Sequence, residues 1–162
     1  GFVPSGEEKA RRRATWWEPY HQALQQEIAR LKAAHGFALL WDAHSIRAEI
    51  PWLFEGRLPD LNIGTADGRS ADASVTAAVA AAAARHPAFT HVVNGRFKGG
   101  YITRQYGRPA ENVHAVQLEM CQYLYMREAP PWNYEEAAAA QVQPVVREMV
   151  EAALAACRKL HG

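Results

Sequence analysis

The chain has 162 residues, the size of one compact domain, and 49% of them are hydrophobic, so a sizeable core is expected rather than disorder. Eighteen Lys and Arg against 17 Asp and Glu leave a formal net charge of +1, a balance that argues against nucleic acid or a membrane surface as partner. Cys121 and Cys157 lie far apart and form no ligand motif, no apolar run nears the ~20 residues of a membrane span, and no signal peptide is recognisable, so a reduced cytoplasmic protein is expected.

In chain order, Ser5-Gly6-Glu7-Glu8 has the form of a capping box and predicts a helix start. The basic run from Lys9 to Arg13 follows Glu7 and Glu8 and reads as a solvated helix face. Trp16, Tyr20, Leu24, Ile28 and Leu31 recur at steps of three and four, one apolar stripe expected to be buried. Pro19 should kink this helix or begin a second one, and Gly36 should end it. Residues 37–43 form a short, continuously apolar run, the pattern of a strand buried on both faces. The Pro- and Gly-punctuated stretch from His44 to Asp60 is too irregular for an ordinary connection.

Leu61–Gly64 is a brief strand candidate, and Asp72 is placed to cap an Ala-rich helix that ends near Arg85, before Pro87. His91–Asn94 reads as a strand, followed by a flexible region marked by Gly95, Gly99, Gly100 and Gly107. Val113–Leu118 is another strand candidate. Glu135–Leu160 is helical, with Pro144 a kink or junction. This alternation predicts an α/β fold, a mostly parallel or mixed sheet flanked by helices. Ligands of such sheets bind beyond the carboxyl ends of the strands, which directs attention to Asp42, His44, Asn94 and Glu119.

Each of these has a functional and a plain reading. His44 follows a buried strand, where an imidazole can bind a metal through one nitrogen while a carboxylate or carbonyl fixes the other; it can equally cap a loop. Glu119, shielded by apolar neighbours, has the setting of a general base with a raised pKa, or of an ion-paired surface carboxylate. In the glycine-rich segment after Asn94, Arg104 offers a planar fork suited to a carboxylate, or a surface charge on a turn. No phosphate-loop pattern is present there. His21, His35, His86 and His161 are expected to face solvent, Tyr123 and Tyr125 to pack, and Ser45 lacks a nucleophile elbow.

The blocks Leu40-Trp41-Asp42-Ala43-His44-Ser45-Ile46-Arg47, Leu53 to Thr65, Asn94 to Arg104 and Val116-Gln117-Leu118-Glu119-Met120 together resemble the N-formylglutamate amidohydrolase family, and the helix with Trp16-Trp17 and Tyr20-His21 is similar too. The resemblance implies a zinc-dependent hydrolase related in fold to the zinc carboxypeptidases and aspartoacylase, acting on N-formyl-L-glutamate in bacterial histidine breakdown. In that reading His44 is a ligand of one zinc ion and Glu119 the general base, Arg104 binds a substrate carboxylate, and Asn94, Lys98 and Arg47 are further substrate contacts. The family carries an additional N-terminal segment with a His and an acidic zinc ligand and an Asp-Leu-Asn-Arg motif. Residues 1–162 are therefore expected to be the C-terminal part of a single zinc-hydrolase domain, incomplete at the N-terminus. Its partners would be a small N-formyl amino acid and the missing N-terminal segment of the same protein. On its own the chain is expected to be inactive. Two alternatives stand beside this: a non-catalytic binding protein that keeps the fold without the metal, and a related N-acyl amino acid deacylase.

Overall fold

A computed structural model of the protein describes residues 3–162. Ser5 opens helix α1 (Gly6–Arg12) by accepting a hydrogen bond from the Glu8 amide at 3.1 Å, as the capping box predicts. The chain stays helical through one wider turn, Arg13–Trp17, in which the Glu18 amide reaches back to the Arg13 carbonyl. Helix α2 (Glu18–His35) then begins with Pro19 in its first turn. Proline has no N–H to give the preceding turn, and the extra residue in that turn accommodates it. Gly36, in a left-handed conformation, closes α2 by donating to the Lys32 carbonyl.

The predicted apolar stripe on this helix needs correcting. Trp16 is 72% and Tyr20 57% exposed, whereas His21, expected to face solvent, is only 6% exposed and hydrogen-bonds the Tyr106 hydroxyl. The wider turn shifts the helical phase around Trp16, so a stripe counted at constant period straddles two faces.

The sheet comprises β1 (Ala38–Ile46), β2 (Leu61–Gly64), β3 (His91–Val93) and β4 (Val113–Cys121), in the order β1-β4-β2-β3. β1 runs parallel to β4, β2 parallel to β3, and β2 antiparallel to β4, so the sheet is mixed. β1 is an edge strand with half-buried residues, and Ala43 and His44 on it are exposed, not buried on both faces. A continuous apolar run reads the same in a covered strand and in one covered mainly on one side.

Residue alternation gives β4 two different faces. Val116 and Leu118, with Leu61 and Ile63 of β2, join the core formed with helix α3 (Ala73–Ala84) and helix α5 (Glu136–His161). α3 contributes Val75, Val79, Ala82 and Ala83; α5 contributes Val142, Val145, Met149, Ala153 and Cys157, its spacing unbroken past Pro144 on the solvent side. Asp72 caps α3 by accepting from the Ser74 amide at 2.8 Å. The opposite face of the sheet carries Gln117 and Glu119 and lies toward a short helix, α4 (Tyr101–Tyr106), while α2 packs along β1. That helix, six residues long, is hidden in the glycine-rich region because it is too short to display a period. The irregular connection 47–60 holds no strand or helix, yet Ala48, Ile50, Phe54 and Leu58 bury themselves in the core.

Candidate active site

The parallel register of β1 and β4 sets Asp42 beside Gln117 and His44 beside Glu119. Residues two apart on a strand share a face, so all four side chains project from one side of the sheet. On β2, Asn62 is the antiparallel partner of Glu119 and adds a third strand to this face. The Asn62 amide nitrogen donates to the Pro59 carbonyl at 2.8 Å and to the Glu119 carbonyl at 3.1 Å.

Glu119 is 6% exposed. Burial raises its pKa above the usual carboxylate value; the nearby His44 ring pulls it down, Asp42 pushes it up, and the hydrogen bond from Gln117 lowers it. It lies within β4 rather than at its end, because the strand continues to Cys121. His44 is exposed, and its Nε2 lies 3.1 Å from Oδ1 of Asp42. A carboxylate only accepts, so Nε2 is the donor of this contact, and in the neutral ring Nδ1 is the nitrogen with the lone pair. The second Asp42 oxygen, Oδ2, is buried with no hydrogen-bond partner among the described residues.

This donor set fits a metal ion as one imidazole held by a carboxylate, with Nδ1 the nitrogen that would bind. Among the described residues no group of three or more His, Cys, Asp or Glu side chains is arranged to hold an ion. Cys121 and Cys157 are buried elsewhere, their thiols pushed up to about 12 and about 11, chiefly by burial.

The glycine-rich segment lies against the same face. Gln117 Oε1 accepts from the Gly100 amide at 2.6 Å, and Arg104 Nη1 donates to the Gly99 carbonyl at 2.7 Å. Arg104 is exposed and keeps other guanidinium N–H groups for a ligand. Lys98 pairs with Asp67 at 2.9 Å, and both are exposed. Asn94, in a left-handed conformation, has its amide engaged locally: Oδ1 accepts from the Thr65 and Asp67 amides, and Nδ2 donates to the Thr65 hydroxyl. It organises the turn after β2. Arg47 is exposed immediately after β1. The geometry therefore gathers Asp42, His44, Gln117 and Glu119 with the Arg104 loop, and leaves Lys98 and Asn94 bonded to the neighbouring turn. Gln117 was missed from sequence; its place two residues before Glu119 on one strand was the available signal.

Residues 3–126 match the family model of N-formylglutamate amidohydrolase. Over 155 residues the chain is 52% identical to N-formylglutamate deformylase of Pseudomonas aeruginosa, which covers 96% of this chain and 58% of that protein. It is 49% identical over 155 residues to N-formylglutamate deformylase of Pseudomonas putida, with the same coverage of 96% and 58%. The chain thus spans less than two thirds of the length of these curated relatives. The fold is similar to the crystal structure of N-formylglutamate amidohydrolase from Ralstonia eutropha JMP134, with a TM-score of 0.77 and 24% identity over 94% of this chain and 55% of that one. By the extent of these matches, the chain belongs to the N-formylglutamate amidohydrolase family.

Proposed function

We propose that the complete protein hydrolyses N-formyl-L-glutamate to formate and L-glutamate in a zinc-dependent reaction, and that this chain is the later part of its single catalytic domain. The kinship of its fold with zinc carboxypeptidases and aspartoacylase belongs to the same reading. The observation that carries it is the pairing of His44 with Glu119 on one sheet face, the carboxylate buried and of raised pKa.

In this reading His44 is one zinc ligand, oriented by Asp42, and the remaining ligands come from an N-terminal segment of the same protein. Bound zinc would supply Lewis acidity, which polarises the formyl carbonyl and acidifies water. Glu119 takes the proton of the attacking water as the new C–O bond forms at the formyl carbon. It returns that proton to the glutamate nitrogen as the C–N bond breaks. A carboxylate whose pKa is raised by burial suits both halves of this exchange, since the same group must accept and then release. The Arg104 guanidinium pairs with a substrate carboxylate. Arg47, exposed just after β1, and Lys98, which would have to leave Asp67, are the further substrate contacts of this reading, and Asn94 acts through the turn it holds.

The test is formate release by the complete protein, with zinc content measured on the same sample. Glu119→Gln should lower kcat by about two to four powers of ten, the usual share of a general acid–base group. Undiminished turnover in that variant sinks the assignment. Parallel assays with N-formimino and N-acetyl substrates separate this activity from that of a related deacylase, because pocket shape sets that preference.

A further inference from the structure

We propose that Gln117 is a positioning residue that ties the Glu119 carboxylate to the loop carrying Arg104, an assignment that rests on the hydrolase reading above. Its side-chain amide is used at both ends. Oε1 accepts from the Gly100 amide at 2.6 Å, and Nε2 donates to Oε2 of Glu119 at 3.2 Å. The backbone N–H can only donate, so the amide oxygen must face Gly100 and the NH2 group must face Glu119. Gln117 is 5% exposed, so water does not compete freely for either bond.

The surroundings are shaped for this contact. Gly64 is the β2 register partner of Gln117. A Cβ there would lie 2.4 Å from the Gly99 nitrogen, so the absent side chain lets the loop settle on the sheet. Gly99 itself has φ +101, a conformation that side chains rarely adopt. Arg104 then bonds back to the Gly99 carbonyl, one residue from the amide that Gln117 holds. Glu119, Gln117, Gly100, Gly99 and Arg104 are thus linked by hydrogen bonds and one peptide unit, from the proposed base to the proposed substrate anchor. No other common side chain of this length supplies a donor and an acceptor without charge or a shared proton: ionised glutamate loses the donor, and methionine loses both strong bonds.

The two bonds can be separated in the complete protein. Gln117→Glu keeps an acceptor for Gly100 but sets a second carboxyl group beside Glu119, where the two must share a proton and the base is compromised; Gln117→Met removes both bonds. With N-formyl-L-glutamate, Gln117→Glu should hold KM within about twofold while kcat falls about tenfold or more, and Gln117→Met should lower kcat and raise KM together. Amide exchange at Gly100 should stay slow in Gln117→Glu and quicken by about tenfold in Gln117→Met. Wild-type kinetics in Gln117→Met, or the same joint change of kcat and KM in both variants, overturns the proposal. If the wild-type protein releases no formate, the hydrolase reading falls and the catalytic half of this assignment falls with it. Unchanged Gly100 exchange in Gln117→Met overturns the structural half whatever the activity.

Discussion

His44 and Glu119 occupy matching positions on adjacent parallel strands, and Asp42, two residues before His44, reaches its Nε2 at 3.1 Å. The ring is thereby held by one edge and presents the other. The cost is borne by Asp42, whose second oxygen is buried without a partner among the described residues. Such an arrangement makes sense when the orientation of the imidazole is worth more than the satisfaction of the carboxylate.

On the proposed zinc reading, replacement of Asp42 by Asn should therefore weaken metal binding by the complete protein more than it weakens the fold. An amide holds the ring less firmly and adds no negative charge behind it. Loss of an outer partner of this kind usually lowers metal affinity about 10- to 100-fold. Competition with a chromogenic chelator on the complete protein measures this, and unchanged affinity would remove Asp42 from the role given to it.

The docking of the glycine-rich loop makes a second expectation. Gly64→Ala would place a methyl group 2.4 Å from the Gly99 nitrogen and 2.6 Å from the Lys98 carbonyl carbon, both backbone atoms that cannot swing aside. Overpacking of this kind costs about 1–3 kcal/mol. Gly6→Ala meets nothing within 4 Å, lies at the start of α1 and should be neutral or mildly stabilising. Denaturant midpoints of the pair provide the comparison, and equal midpoints would mean that the loop is free to lift from the sheet.

Much of this architecture was legible because local chemistry announces it. The Ser5 cap, the Gly36 stop, the Asp72 cap and the strand around residue 116 all rest on side chains acting within a few residues of themselves. What failed was whatever depended on phase or on neighbours in space. The exposure of Trp16 and the burial of His21 follow from one extra residue in a turn, which no constant period anticipates. The edge position of β1 depends on strand order, and strand order is not written in any single strand. In the site, His44 and Glu119 stood out as reactive types, whereas Gln117 has unremarkable chemistry until its two partners are known.

A pH expectation comes from the opposite face of the sheet. His114 is buried, accepts from the Asp72 amide through Nδ1 at 3.1 Å, and meets Nε2 of His161 at 2.8 Å. Burial, then the His161 ring, hold its pKa below the ordinary imidazole value of 6.5, with Asp72 pulling the other way. As pH falls through 6.5 the unfolded chain takes up a proton at this position before the folded one does. The stabilising contribution of the neutral ring is thus complete above 6.5 and is lost as pH drops toward the lower folded value. A non-titrating His114→Gln variant should be less stable than wild type near pH 7.5, and the gap should narrow by about pH 5.5. Urea denaturation at the two pH values measures that gap, and a constant gap would show that His114 titrates alike in both states.

The last expectation concerns the edge at β1. Among the described residues β1 pairs only with β4, leaving its other side with unpaired backbone groups. Beside it lies an apolar groove of about 520 Å³ lined in part by Leu31, Phe37, Leu39, Trp41, Val150 and Leu154. Open strand edges recruit other strands, and an adjoining apolar surface strengthens the pairing because burial and ladder hydrogen bonds form together. The chain produced as these 162 residues should therefore self-associate at micromolar concentration. A Leu39→Lys, Trp41→Lys double variant should stay monomeric longer, since a charge at the groove is costly to bury in any intermolecular contact. Light scattering across a dilution series follows both proteins. A wild-type chain that remains a cooperatively unfolding monomer throughout would show that its edge is protected by the fold described here, without further covering.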